Sequence, residues 1–490
     1  MAVSTVRRVL GSIPKSQRFD FIRTMLHTLF RLLRIVISFV LLPLDNAVLL
    51  GTYFGHYLTL LRLAVYRPRQ AIPRDAEFRR KTVLITGVNS LHGLAVARRW
   101  YHEGHRVIGA DMMDSPIRSG ESMSKSLAAF YDVVKTQYVS QLVDIVHREK
   151  VDVWIPCSEQ VDTMEDAVAK NVIESRTECR CIQLDPELAS RFGSPESLRE
   201  YLVERDLPVV ENHQVQSRDS VHKILHRSPS KAYLMRKARG QDTRPVMLPK
   251  RTLSMTYHEV SEIQINKDNP WILQQQTRLG EFIAEVLVVR GQVKAIKVRP
   301  GDLQSAWGAS RLDQGLAISI HRLMGRFAMK GGSRLTGHLA VHLMVDEEFD
   351  ANSVRHVLHI AHCTQGAAAV KTLLQGPSSD IVTGYLSALS SQVTEASGQL
   401  SETPFDDVKA TIATTDRAKE SNTNTLKKIL SPTFLVQQAK EAAWEVCHVP
   451  FWKDPRFSYS DPFPWWWHTH VYTPFREIGV ALYQAPLKQD

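Results

Sequence analysis

The chain has 490 residues, of which 43% are hydrophobic, and this is enough apolar material for two or three folded cores. Its five cysteines are scattered without a disulfide or zinc spacing, which argues against a disulfide framework: Cys157, Cys179, Cys181, Cys363 and Cys447. The net charge of +10 owes much to basic residues around an N-terminal apolar segment, and no RNA- or DNA-binding module is visible. We therefore expect a membrane lipid surface as a partner, and no nucleic acid.

The N-terminal apolar segment, residues 20–66, predicts attachment to a membrane. Between residues 35 and 61 the only formal charge is Asp45, and the sequence Pro-Leu-Asp-Asn at 43–46 interrupts the apolar run near its middle. Because basic residues lie on both sides, both ends are expected to stay in the cytosol. The sequence predicts a membrane-associated helical hairpin within residues 1–75 that faces the cytosol, with the endoplasmic reticulum as the expected membrane.

Two other interpretations of this segment stay open. Its length also suits a single transmembrane helix of about 20 residues. The first residues are rich in Arg and Ser and contain no acid before Asp20, as in a mitochondrial import segment.

Residues 81–111 predict the start of an open α/β sheet. The apolar run at 83–85 is typical of a parallel strand buried on both faces. A helical repeat of apolar residues follows at 91–103, and a second strand at 106–110 ends in Asp111. Such a βαβ unit has a crevice at the carboxyl ends of its strands.

The loop in this unit argues against a dinucleotide. It has glycine only at its two ends, Gly87 and Gly93, whereas a pyrophosphate turn requires G-x-G-x-x-G. Tyr131 and Lys135 mimic the Tyr/Lys pair of short-chain dehydrogenases, but they lie too soon after the first strand to reach that crevice. An NAD-binding oxidoreductase is therefore the less favoured alternative.

Further along, a parallel half gives way to an antiparallel half. Residues 151–156 predict another buried strand with Ser158 and Glu159 at its carboxyl end. Residues 231–237 and 271–276 predict two more strands, and residues 280–298 predict a hairpin with a Gly-Gln turn.

The order of these motifs resembles the ATP-grasp superfamily, in the branch similar to the carbamoyl-phosphate synthase large subunit and fungal ATP-grasp ligases of secondary metabolism. The motifs are I-P-x-x-E, then L-P-V, a strand with Arg and Lys, W-I-L-Q-Q, G-E before a hairpin, G-H-L-A-V-H-L and L-H-I-A-H-C-T-Q-G. The similarity covers residues 80–390 and the tail at 457–475. It implies an α/β protein with a Rossmann-like pre-ATP-grasp domain at 76–190 and an α+β ATP-grasp domain at 191–392.

The remaining segments are assigned from composition. Residues 393–425 are polar and predict a flexible linker, and residues 426–490 predict a C-terminal helix followed by an aromatic tail. In the tail, Trp465, Trp466 and Trp467 are expected to pack it back on the body of the protein or against a membrane interface. A homo-oligomer stays open.

The resemblance implies that ATP activates a small-molecule carboxylate, or an amino acid, as an acyl phosphate that an amine then attacks. The family's lysine on the nucleotide-binding strand aligns with Arg236 or Lys237. The acid beside the adenine aligns with Gln275, and Glu281 matches an acidic residue common in the family. These four positions are the predicted ATP-binding residues.

The metal-ligand positions depart from the family pattern. The first carboxylate aligns with His342, and the Glu-x-Asn pair aligns with Ala361 and Cys363, or in a register shifted by one with His362. Mg²⁺ prefers oxygen ligands, so the sequence predicts poor Mg²⁺ binding and no metal site. A degenerate ATP-grasp protein that serves as a membrane-attached scaffold or accessory subunit is therefore the second interpretation.

Two further expectations concern the strands around these positions. Residues 346–350 are interpreted as the polar turn between two strands. A Zn²⁺ site formed by His338, His342, His359, His362 and Cys363 is disfavoured, because regular alternation would point His359 and His362 in opposite directions.

Overall fold

The computed structural model describes residues 35–55, 57–58, 78–112, 117–228, 231–237, 246–266, 270–277, 280–301, 312–350, 353–376, 381–389 and 454–483. They divide into two compact units. The larger comprises 67–114 and 125–389, and the smaller comprises 1–66, 115–124 and 390–490. The predicted linker at 393–425 lies outside the described residues, and so does the part of the predicted C-terminal region 426–490 that precedes residue 454.

The larger unit begins with a parallel sheet in the strand order β3-β2-β1-β4-β5. Its strands are β1 Thr82–Thr86, β2 Arg106–Met112, β3 Ala129–Val133, β4 Val153–Pro156 and β5 Arg180–Cys181, and its helices are α2 Leu91–His102, α3 Tyr138–Glu149 and α4 Thr163–Arg176. Val83 and Ile85 pack with α2, whereas Leu84 packs with α3 and α4. Both faces are covered, which explains the continuous apolar run at 83–85.

A small antiparallel sheet follows, in the order β6-β9-β7-β8. Helices α5 Pro186–Gly193 and α6 Pro195–Glu204 precede it. Its strands are β6 Asn212–Val215, β7 Ala232–Lys237, β8 Val246–Leu248 and β9 Trp271–Gln276, and the helices between them are α7 Arg218–Arg227 and α8 Leu253–Glu262. Tyr233, Met235 and Leu273 form a core with Val221 of α7 and Val260 of α8. The helices therefore cover one face of this sheet.

A larger antiparallel sheet has the order β11-β10-β12-β13. Its elements are β10 Gly280–Val289, β11 Gln292–Pro300, α9 Gln314–Gly331, β12 Gly337–Asp350, β13 Ser353–Gln365, α10 Lys371–Gln375 and α11 Ile381–Leu386. Phe282 and Val341 pack on the α9 side, whereas Ile283 and Leu287 pack with α10 and α11. The change from a parallel to an antiparallel half is confirmed, and the fold is mixed α/β.

The polar turn predicted at 346–350 is wrong. Strands β12 and β13 remain paired as far as Asp350 and Ser353, so those acidic residues belong to β12. Strand pairing uses main-chain groups, and a run of acidic side chains does not end it.

The smaller unit contains helix α1, Ile35–Gly55. Its C-terminal part, which we call the C-terminal segment, is residues 454–483 and includes α12 Phe463–Trp467, a π-helical turn His468–Tyr472 and α13 Thr473–Tyr483. The 21 residues of α1 are long and apolar enough, by length and composition, to cross a membrane.

The predicted break in the apolar segment at 43–46 is also wrong, because α1 is continuous through these residues. Pro43 removes only one main-chain donor, which apolar helices tolerate. Asp45 and Asn46 are not turn residues, because their side chains bond to His470 and Trp466. Within the described residues, one helix replaces the predicted hairpin.

Candidate functional site

An imidazole and a carboxylate meet on the face of the larger sheet opposite α9. His342 Nδ1 lies 2.6 Å from Glu281 Oε1, and Thr364 Oγ1 lies 3.4 Å from His342 Nε2. A Cβ atom on Gly301 would come within 2.8 Å of Glu281 Cγ, so the missing side chain makes room for Glu281. We call the part of this face that carries Glu281, His342, His359, His362 and Thr364 the open face.

A β-bulge brings two more histidines onto the open face. His342 is paired with His362, whereas Met344 is paired with His359, which leaves Ala361 as the extra residue. Partners across a ladder share a face, so His359 and His362 both lie on the side of His342. The expectation that they point in opposite directions is therefore wrong, and the rings of His342 and His362 are 5.6 Å apart.

The two added imidazoles are neutral near pH 7. Burial lowers the pKa of His362, and the neighbouring His342 lowers it further. Burial also lowers the pKa of His359, with an additional contribution from the Lys231 ammonium. Within the described part of the chain, His359 Nδ1 is buried without a hydrogen-bond partner. The open face thus contains neutral imidazole nitrogen atoms beside Glu281, of which His359 Nδ1 is buried.

The degenerate metal positions occupy different environments. His342 lies on the open face, Ala361 lies in the bulge, and Cys363 belongs to the core on the α9 side. Burial raises the pKa of the Cys363 thiol to about 12, so it is not a thiolate ligand at neutral pH. Among the residues that the structure describes, no three His, Cys, Asp or Glu side chains form a metal-binding group. Poor Mg²⁺ binding stays a prediction.

The two cations predicted to bind ATP lie on opposite faces of the small sheet. Lys237 is paired with Trp271, which belongs to the core under α7 and α8. Arg236 is paired with Ile272 and projects from the other face, where it is exposed. Arg236 is therefore the cation of the pair that a ligand on the uncovered face would meet.

Gln275 is on the helix-covered face and is buried. Its side-chain Oε1 lies 3.5 Å from the main-chain nitrogen of Glu211, so its amide positions the start of the small sheet. Gln274 and Gln276, one residue to either side, share the uncovered face with Arg236. Whether any of these residues binds nucleotide stays a prediction.

Glu211 is a polar centre that the sequence did not single out. Its carboxylate accepts hydrogen bonds from Lys231 Nζ at 2.7 Å and from the Tyr233 hydroxyl at 3.1 Å. The hydrogen bond from Lys231 is the main reason that the pKa of Glu211 is lowered. The chain just before Glu211 pairs with Ile360 of β13, next to His359. The only sequence signal for this residue was its position after the L-P-V motif.

A cavity of about 270 Å³ lies at the carboxyl end of the parallel sheet. Its polar lining includes Ser158, Glu159, Asp166, Gln183, Gln365 and Lys371. Glu159 Oε1 lies 2.7 Å from Lys371 Nζ and 3.7 Å from His92 Nδ1. The sequence predicted that Ser158 and Glu159 lie at this strand end. It did not predict Lys371 here, because Lys371 reaches the cavity from a helix that is distant in the sequence.

Asp166 gives the cavity a group that titrates near neutrality. Burial raises its pKa to about 7, although the Tyr138 hydroxyl donates a 2.7 Å hydrogen bond to Oδ1. Burial and the nearby Glu159 and Lys371 charges also affect His92, whose pKa is lowered mainly by burial. No sequence pattern identified Asp166, because it lies inside an ordinary helical repeat.

The loop that begins at Gly87 and the strand end at Asp111, which were considered for dinucleotide binding, form contacts within the chain. Gly87 has φ +75°, and a Cβ atom there would lie 2.2 Å from the main-chain nitrogen of Ser158. The Asp111 carboxylate accepts a 2.8 Å hydrogen bond from the main-chain nitrogen of Asn89. Glycine is thus required by the close approach of two loops.

No family model and no curated protein matches the chain. It is similar in structure to the biotin carboxylase subunit of pyruvate carboxylase (12% identity, TM-score 0.43, 59% of this chain and 64% of that chain covered). It is also similar to an L-amino acid ligase from Bacillus licheniformis (13% identity, TM-score 0.37, coverage 63% and 77%). A third is phosphoribosylglycinamide synthetase from Anaerococcus prevotii (13% identity, TM-score 0.38, coverage 59% and 68%). Similarities at this level assign neither a substrate nor an activity.

Proposed function

We propose that the chain is an ATP-binding protein of the ATP-grasp superfamily that activates a carboxylate as an acyl phosphate for attack by an amine. The observation that carries the proposal is a pair of polar clusters, with Arg236 on the face of the small sheet opposite α7 and α8, and Glu281 with three imidazoles on the face of the larger sheet opposite α9. The order of a parallel sheet, a small antiparallel sheet and a larger one agrees with the resemblance read from the sequence. Within that resemblance, the finer proposal is the branch similar to the carbamoyl-phosphate synthase large subunit and the fungal ATP-grasp ligases of secondary metabolism.

The residues fit a nucleotide better than they fit Mg²⁺. Arg236 would neutralise phosphate charge, and the amides of Gln274 and Gln276 would supply neutral hydrogen bonds. ATP, when bound, would supply the phosphoryl group. Glu281 is a hard oxygen ligand, but its Oε1 is engaged by His342. We therefore expect turnover to be slow.

The cavity beside Lys371 is the proposed site for the substrate carboxylate or amino acid. Lys371 can attract a carboxylate, with Glu159 setting its position. Asp166, with a pKa of about 7, is suited to accept the proton that an attacking amine loses. These roles use only side chains that already line the cavity.

A second function is favoured by the environment of Cys363. Because it points into the core on the α9 side, it cannot take over a metal-binding role. A protein that binds ATP without turnover would serve as a scaffold or accessory subunit. A measurement of ATP turnover therefore distinguishes the scaffold function from the ligase function.

Calorimetric titration with ATP tests the nucleotide site. Arg236→Glu should weaken ATP binding about 100-fold, because it replaces a charge-assisted hydrogen bond with charge repulsion. Lys237→Glu is the matched control and should change affinity by less than about threefold, since this side chain lies on the opposite, helix-covered face of the sheet. Equal losses in both variants, or none in either, would contradict the proposed site.

Phosphate release on addition of an amino-acid mixture tests the ligase chemistry. Release that depends on amino acids supports acyl-phosphate formation. ATP binding without any phosphate release would contradict the ligase function and support the scaffold function.

A further inference from the structure

Helix α1 has the reverse of the polarity expected for a helix in water. Its polar residues Ser38 and Asp45 are buried, with 6% and 4% of their surfaces exposed. Large apolar residues at helical spacing are exposed instead: Val36, Phe39, Val40, Leu44, Leu50 and Phe54. A water-facing helix turns its apolar stripe toward the core. The exposed stripe of α1 therefore suits an apolar environment.

The buried polar side of α1 is bonded to the C-terminal segment. His470 Nε2 lies 3.0 Å from Asp45 Oδ2, and His470 Nδ1 lies 3.0 Å from Ser38 Oγ. Trp466 Nε1 donates a 2.9 Å hydrogen bond to Asn46 Oδ1. Both ring nitrogens of His470 are thus used to hold α1, which explains polar residues in an otherwise apolar run.

The C-terminal segment is in turn held by residues 117–124. The buried Glu121 carboxylate is paired with Arg456 and lies 3.5 Å from His468 Nδ1. Its pKa is lowered to about 2, because the interactions with His468 and Arg456 outweigh the effect of burial. Ser124 Oγ also donates a 2.6 Å hydrogen bond to Asp461. The smaller unit therefore supports α1 from one side with a charged, hydrogen-bonded layer.

We propose that α1 and the C-terminal segment form a composite membrane-docking surface whose occupant is the cytosolic leaflet of an anionic bilayer. Arg31 and Arg34 precede α1 in the sequence and Arg62 follows it, and this charge complements anionic lipid headgroups. A soluble protein partner would not require that charge on both sides of an apolar stripe. In this proposal α1 lies in the interface plane, because the C-terminal segment bonds to its polar side through His470 and Trp466.

This proposal rests on the smaller unit and is independent of the ligase function. It differs from the hairpin expected from the sequence, because the second element beside α1 comes from the other end of the chain. Asp45 therefore joins α1 to the C-terminal segment and is not part of a turn.

Flotation of the full-length protein with lipid vesicles tests the exposed stripe. The wild type should float with vesicles of 80% phosphatidylcholine and 20% phosphatidylserine, and less with pure phosphatidylcholine. Val40→Asp with Leu44→Asp should reduce vesicle partitioning at least about tenfold, because charges on the stripe must enter an apolar interface. The control, Val203→Asp with Leu253→Asp, adds equal charge at similarly exposed positions of the larger unit (65% each, against 71% and 62%) and should leave partitioning within about twofold.

Equal partitioning of the two double variants would overturn the proposal. So would a wild type that stays with the aqueous fraction and self-associates, since the stripe would then bind protein rather than lipid.

Limited trypsin digestion tests the role of the C-terminal segment. His470→Leu and Asp45→Leu each leave a buried polar partner unsatisfied, so each should speed cleavage at Arg476 about tenfold or more. The double Leu variant replaces the pair by apolar side chains and should regain most of the protection. Single variants that are cleaved like the wild type, or a double variant cleaved as fast as the singles, would contradict the composite surface.

Discussion

The open face of the larger sheet and the cavity at the end of the parallel sheet differ in their chemistry. The open face combines one paired carboxylate, Glu281, with the imidazoles of His342, His359 and His362. The cavity contains the ion pair of Glu159 and Lys371. Imidazole nitrogen atoms dominate the first region, and an ion pair dominates the second.

Under the proposed ligase function, the two regions would contribute unequally to the reaction. Imidazoles are poor ligands for Mg²⁺, whereas a lysine and an acid with a raised pKa suit a carboxylate and an amine. We infer that substrate binding is retained more fully than metal-assisted phosphoryl transfer.

Adding carboxylates to the open face should produce the largest effect. His342→Asp with His362→Glu supplies two hard ligands beside Glu281, and Mg²⁺-dependent ATP turnover should rise about 100-fold, which corresponds to about 2.7 kcal/mol of transition-state stabilisation. Steady-state phosphate release measures it. Unchanged turnover in a variant that melts like the wild type would mean that metal ligands do not limit the rate.

The matched control uses the neighbouring positions on β13. Ala361→Glu with Cys363→Asn places one polar group in the bulge and one in the core on the α9 side. This variant should lose about 2 kcal/mol or more of stability and gain no turnover, because buried polar groups without partners are costly.

Removing the cavity's lysine should have an intermediate effect. Lys371→Met leaves Glu159 without its partner at 2.7 Å and should raise the KM for an accepted carboxylate or amino acid about tenfold to 30-fold, with kcat less affected. Lys135→Met, at an exposed position in the same unit, is the control. An equal KM for the two variants would argue against the cavity as the substrate site.

Asp166 should make a smaller, pH-dependent contribution to stability. Its pKa of about 7 exceeds the ordinary value of 3.8, so the folded state binds the proton more tightly than the unfolded state. Stability should then fall as pH rises from about 4 to 7, by up to about 4 kcal/mol, and remain lower above that range. Asp166→Asn should flatten this dependence in thermal unfolding, whereas the exposed Asp144→Asn should preserve it. A wild-type protein equally stable across the interval would contradict the raised pKa.

The parts of the fold that depend on local pattern were predictable. The apolar run at 83–85 and the Gly-Gln turn at 291–292 determine a buried strand and a hairpin within a few residues. The bulge at Ala361 was not predictable, because register depends on the partner strand. The role of Asp45 was not predictable, because a polar residue within an apolar run is equally compatible with a turn and with a buried hydrogen bond.

The candidate site was predictable only in part for a similar reason. Alternation separates Arg236 from Lys237, but it does not say which face α7 and α8 cover. Asp166 and Lys371 both line the cavity although about 200 residues of sequence separate them, and no local pattern signals that arrangement.

The most direct test of the account is the Mg²⁺ dependence of ATP binding and turnover by the wild-type protein. Titrations with and without the cation, followed by phosphate release with amino acids present, measure both. We predict that Mg²⁺ changes ATP affinity by less than about threefold and that turnover is slow, because the open face lacks a set of hard ligands. Mg²⁺-dependent binding with rapid turnover that is unaffected by His342→Ala would contradict the account.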